Sequence, residues 1–187
     1  KAMHKGQYKH SNSIHYGGSV ATWSNTTLES ICEHYLKKSK RAAMIDIHTG
    51  LGPYGYGELM TPSKPGEKVF DLFSNWYGDQ VHSTTAGTSL YAGSKGSILA
   101  GFQPLPDTLE WAAVGLEYGT RERETMRKAM LANTWLHVHG DLDSDLGREI
   151  KREVKDASYP DEDQWKSLVW ARGKEVIGIA LQRFSQM

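Results

Sequence analysis

Short apolar runs that stop at an ionisable residue alternate along this chain with longer amphipathic stretches. Residues 42–47 form one such run; it reads as a buried strand, stops at His48 and passes into Gly50-Leu51-Gly52-Pro53-Tyr54-Gly55. Residues 111–116 form a second, which ends at Glu117 ahead of Gly119. Ahead of the first run the period is different. Leu28, Ile31, Cys32, Tyr35 and Leu36 recur at i, i+3, i+4, i+7 and i+8, the spacing of one helical face. Asn25 or Thr26 suits the N-cap of that helix, and Lys37, Lys38, Lys40 and Arg41 crowd its C-terminal end, where the helix dipole favours cations. Further helices are predicted over residues 67–76, 123–137, 144–157 and 162–184, and a short strand over 80–82. The last helix carries Trp165, Leu168, Val169, Val176, Ala180, Leu181 and Phe184 on one broad face. Residues 1–23, 49–66 and 83–101 read as Gly-, Ser- and Pro-punctuated loops. Alternating strands and helices predict an α/β fold, a sheet layered with helices.

The totals narrow the function classes. With 187 residues, no internal repeat and no linker, the chain is a single domain over 1–187. It is long enough to bury roughly 70% of its unfolded surface without a disulfide or metal staple. Its 22 basic and 22 acidic residues cancel, which argues against a nucleic-acid partner. No stretch approaches the length of a membrane span. The opening Lys1-Ala2-Met3-His4-Lys5-Gly6 has no apolar core and so no signal peptide, which together with the single cysteine, Cys32, points to the cytoplasm. The chain begins on Lys1 rather than Met, and is read as starting part-way through a longer protein.

Three residues stand out chemically. His48 at a strand end is a zinc ligand or a histidine bonded into the sheet rim. Asp46, two residues back on the same face, is an orienting carboxylate for it or a satisfied buried acid. Glu117 at the end of an apolar strand is a partly desolvated general base or the partner of Arg121 or Arg123 in an ion pair. Other patterns carry less. Gly50 to Gly55 matches G-x-G-x-x-G, but Pro53 removes a donor and no helix opens there, so a nucleotide cradle is a third and weaker reading. His137 and His139 are two apart on a helix and face different ways. His4, His10, His15, His34 and His82 lack ligand spacing, Cys32 falls on an apolar face, and Trp111, Trp135, Trp165 and Trp170 read as packing groups. The chain contains neither H-E-x-x-H nor H-x-x-E.

A strand ending Ile45-Asp46-Ile47-His48, a loop Tyr91-x-x-Ser94-x-Gly96-Ser97-Ile98 and a strand ending Leu116-Glu117 follow one another in that order. The order resembles the C-terminal part of zinc carboxypeptidases of the carboxypeptidase A type. The strings Ile47-His48-Thr49-Gly50-Leu51-Gly52, Gly57-Glu58, Glu117-Tyr118-Gly119-Thr120 and Asn133-x-Trp135-Leu136-His137 are more similar still to an uncharacterised bacterial branch of that superfamily. The resemblance implies a mixed sheet between two layers of helices, an αβα sandwich of which this chain is the C-terminal portion. It implies that His48 holds zinc, that Glu117 activates water, that Tyr91 closes over substrate, and that Ile98 lies near the side-chain pocket. The remaining zinc ligands are expected from sequence preceding Lys1. The implied reaction is hydrolysis of an amide bond in a small peptide or N-acyl amino acid. The alternative is a non-catalytic binding module on a degenerate carboxypeptidase-like fold.

Overall fold

A computed structural model of the chain describes residues 6–13, 15–91, 96–101 and 108–186. Ser94 of the tyrosine loop lies outside them. Among the described residues, four strands form one mixed sheet in the order β1-β4-β2-β3. These are β1 (Arg41–Tyr54), β2 (Gly57–Thr61), β3 (Val81–Ser83) and β4 (Glu110–Gly119). β1 runs parallel to β4, β2 antiparallel to β4, and β3 parallel to β2. The fold is α/β, with helices flanking a mixed sheet.

Among the described residues, six α-helices accompany the strands: α1 (Trp23–Leu36), α2 (Lys68–Tyr77), α3 (Ile98–Gly101), α4 (Arg123–His139), α5 (Asp145–Ser158) and α6 (Asp163–Ser185). One face of the sheet is the core. Leu59, Val81, Val114, Leu116 and Tyr118 project there, alternating along their strands, and meet Phe73, Trp76 and Tyr77 of α2 and Trp165, Val176 and Ala180 of α6. Two tyrosines close this layer by donating to α6 carbonyls, Tyr77 to Val176 and Tyr118 to Val169, each at 3.0 Å. Within α6, Leu168 and Leu181 of the expected face stay largely exposed. Trp165 is the buried tryptophan of the predicted packing groups, whereas Trp135 and Trp170 face solvent.

Three expectations about local structure are corrected. β1 does not end at His48 but continues to Tyr54, because β4 accompanies it from Glu110 to Gly119. It is also an edge strand rather than a fully covered one, which is the place where Pro53 can sit without costing a ladder hydrogen bond. The predicted loop over 49–66 contains β2, whose five residues are all buried. The cap of α1 is Thr22, whose hydroxyl accepts from Asn25 N–H, and α1 carries no buried residue. Cys32 on that helix is half-buried, and burial raises its thiol pKa.

The return from β1 to β2 depends on Gly119. A Cβ there would lie 2.0 Å from the Pro53 carbonyl oxygen and 2.4 Å from the Gly52 carbonyl carbon. Its N–H donates to Tyr56 O and its carbonyl accepts from Gly55 N–H, so the backbone is held from both sides. Gly119→Ala is expected to cost about 1–3 kcal/mol, the usual penalty of overpacking against backbone. A lower urea midpoint with an unchanged m-value would show it.

Candidate functional site

The other face of the sheet carries the ionisable groups. His48 on β1 is in register with Glu117 on β4, and Glu117 is in register with Glu58 on β2. Side chains at registered positions share a face, so these three form one row across three strands. The adjacent row on the same face is Asp46, Gly115, Met60 and His82. Gly115 gives that row its depth: Leu99 of α3 and Met60 occupy the space where a Cβ would project. The sheet therefore gathers Asp46, His48 and Glu117, which sequence reasoning singled out, and adds Glu58 and His82, which it did not.

His48 is about half exposed, and its Nε2 lies 2.6 Å from Asp46 Oδ2. A carboxylate there accepts, so Nε2 is the donor, and in the neutral ring Nδ1 keeps its lone pair. That is the arrangement in which a carboxylate orients a histidine for a metal on the opposite nitrogen. Glu117 is 6% exposed. Burial raises its pKa above the ordinary carboxylate value; Leu51 N–H and His48 oppose the rise, while Glu58 and Asp46 add to it. Among the described residues its one hydrogen bond comes from Leu51 N–H to Oε1, at 2.9 Å. A Cβ at the neighbouring Gly50 would stand 3.3 Å from the Met126 methyl and 3.4 Å from Oε1.

The expected alternative for Glu117, an ion pair with Arg121 or Arg123, is not formed. Arg121 instead bridges Asp156 and Glu162, at 2.7 Å each, and these two acids raise its pKa. Tyr54 donates to the other oxygen of Glu162 at 2.5 Å. This network braces the C-terminal ends of β1 and β4 against α5 and α6. Above it opens a cavity of about 270 Å³, lined by Leu51, Pro53, Leu90, Thr120, Arg121 and Arg123 among others. The cavity adjoins the site through Leu51, whose N–H is held by Glu117.

Tyr91 lies half-buried just after β3, its N–H donating to Ser89 Oγ at 3.0 Å. Ile98 opens α3 and is half-buried. α4 runs through both His137 and His139, and His137 Nε2 lies 2.5 Å from Lys151 Nζ, so His137 is engaged with α5.

The resemblance implies zinc, and the residues can be tested against it. A catalytic zinc takes three protein ligands and an open position. His48 fits as one imidazole ligand with its orienting acid in place. Among the described residues, no group of three or more His, Cys, Asp or Glu side chains can hold a metal ion. They therefore fit one ligand and its support, and not a complete zinc site.

Glu58 escaped sequence reasoning because Gly57-Glu58-Leu59-Met60-Thr61 has no clean alternation, and only register places it beside Glu117. No described helix is long and apolar enough to cross a membrane. No curated protein and no solved structure matches the chain. A family model does match it, over residues 1–172, and the chain belongs to that family, described as "Protein of unknown function (DUF2817)".

Proposed function

We propose that this chain carries the water-activating side of a hydrolase site, acting on amide bonds of small peptides or N-acyl amino acids. The observation that carries this reading is the registered pair His48 and Glu117, with Glu117 buried and its proton affinity raised. A carboxyl whose pKa is lifted toward neutrality can take a proton from water and pass it to a leaving amine. Asp46 holds the His48 ring by Nε2 and so fixes the direction of Nδ1. Tyr91 and Ile98 are assigned to the substrate side, as closing hydroxyl and pocket wall.

Zinc belongs to this proposal through His48 Nδ1, with further ligands from outside the described residues. Bound there, it would supply Lewis acidity to the scissile carbonyl. The test is zinc content and hydrolysis measured together on the purified protein, with any sequence preceding Lys1 included, after equilibration with zinc. Wild type is expected to retain zinc and to hydrolyse N-acetyl amino acids or dipeptides. His48→Ala is expected to lose the metal while keeping its fold by circular dichroism. Full retention of zinc by His48→Ala removes His48 from the assignment. Wild type that binds such compounds without turning them over, with zinc present, points instead to the non-catalytic module.

A further inference from the structure

Glu58 is 4% exposed and stands opposite Glu117 on the neighbouring antiparallel strand. Like charges directly across a strand pair are unfavourable, and burying a carboxylate costs more unless its oxygens are satisfied. Among the described residues Glu58 has no ion pair. Both its oxygens are used on one short segment instead. Oε1 accepts Leu90 N–H at 3.0 Å, and Oε2 accepts the Ser89 hydroxyl at 3.1 Å. Ser89 Oγ in turn accepts Tyr91 N–H at 3.0 Å. Upstream, Ser83 N–H donates to Thr88 Oγ1 and Ser83 O accepts from Thr88 N–H, so the chain turns sharply after β3 and comes back over the sheet. Leu90 and Leu51 both line the same cavity. The two buried acids of the row thus each hold the backbone of one cavity wall: Glu117 holds Leu51, and Glu58 holds Leu90.

We propose that Glu58 is a positioning residue that ties the Ser89–Tyr91 segment to the site row, setting the distance between the Leu90 wall, Tyr91 and Glu117. An apolar residue in β2 would pack as well against the sheet but would leave Leu90 N–H and the Ser89 hydroxyl without acceptors. Glutamine preserves the tie: its carbonyl can accept Leu90 N–H and its amide can donate to Ser89 Oγ. This role rests on the proposed hydrolase site for its kinetic consequence, but the tie itself does not.

The experiment is amide hydrogen exchange on wild type, Glu58→Ala, Glu58→Gln and Ser89→Ala, read by peptide mass spectrometry, beside kinetics on N-acetyl amino acids. Glu58→Ala is expected to speed exchange in the peptide covering Leu90 and Tyr91 by roughly 10–100-fold, the loss of hydrogen bonds to a charged acceptor, with α4 to α6 unchanged. Ser89→Ala gives the same direction with a smaller effect, and Glu58→Gln stays near wild type. In kinetics, Glu58→Ala raises KM about tenfold with kcat changed less, and Glu58→Gln restores KM. Unchanged exchange at Leu90 and Tyr91 in both Glu58→Ala and Ser89→Ala overturns the tie. If Glu58→Ala fails to fold, Ser89→Ala decides it. Faster exchange with an unmoved KM overturns the positioning role. A wild-type protein that hydrolyses nothing, with zinc present and any sequence preceding Lys1 included, overturns the proposed reaction, while exchange still decides the tie.

Discussion

Glu117→Gln is expected to reduce amide hydrolysis by about 10²–10⁴-fold and, at neutral pH, to raise the melting temperature. The first effect follows from the proposed role of Glu117 as base: glutamine keeps the shape and the acceptor for Leu51 N–H but takes no proton, and general base catalysis is worth roughly that factor. The second follows from its surroundings. Burial raises the Glu117 pKa, so the folded state holds this proton more tightly than the unfolded chain does. As pH rises through the ordinary carboxylate range the unfolded chain ionises first, and folded stability falls until the pH passes the raised value. Wild type therefore carries a penalty at neutral pH that is absent in acid. Replacing the acid by a neutral amide removes it, and Glu58 loses a like-charged neighbour at the same time. A gain of a few degrees near pH 7, the scale of about 1 kcal/mol for a chain of this size, should shrink toward zero near pH 4. Scanning fluorimetry across that range measures it. Hydrolysis near the wild-type rate would remove Glu117 as the base, and a gain independent of pH would remove burial of its charge as the cause.

The largest loss of stability is expected from Trp165→Ala. Trp165 is 2% exposed, packs edge-on against Tyr159 at 5.3 Å between ring centroids, and donates Nε1–H to Gly119 O at 2.9 Å. Its removal opens a cavity beneath β4 and strips one donor from a buried carbonyl, for a cost of about 3–5 kcal/mol. That corresponds to roughly 10 °C or more in melting temperature. Trp165→Phe should recover part of the packing and none of the hydrogen bond. Because Gly119 lies two residues beyond Glu117 on the same strand, the loosening reaches the site from the core side. Chemical denaturation of the three proteins side by side gives the order; equal midpoints for wild type and Trp165→Ala would contradict this account of the core.

The parts of the fold that were legible in the sequence are those whose pattern is set locally. α4, α5 and α6 begin and end within two residues of the predicted helices, and α6 does so on a long apolar face. β4 announces itself by an unbroken apolar run. What escaped depends on partners distant in sequence. β2 is five residues with an acid second, and nothing within it says that its neighbour is β4 rather than a hairpin mate. The extension of β1 past His48 comes from Gly50 and Gly52 lying beside Gly119, a close approach no local rule reports. The site divides the same way. His48, Asp46 and Glu117 are visible as polar residues on apolar strands. Glu58 and the tie to Leu90 span 32 residues and become visible only once the strands are in register.

The strand order has a consequence for the protein as a material. β1 bears His48 yet is paired on one side alone among the described residues, with Ile47 56% exposed along it. An open edge of this length is a template for strands of other molecules. Arg41 at one end and Pro53 near the other are the sort of residues that blunt such an edge, and they leave the stretch between them bare. The strand that carries His48 is thus also the strand along which concentrated solutions of this chain would begin to self-associate.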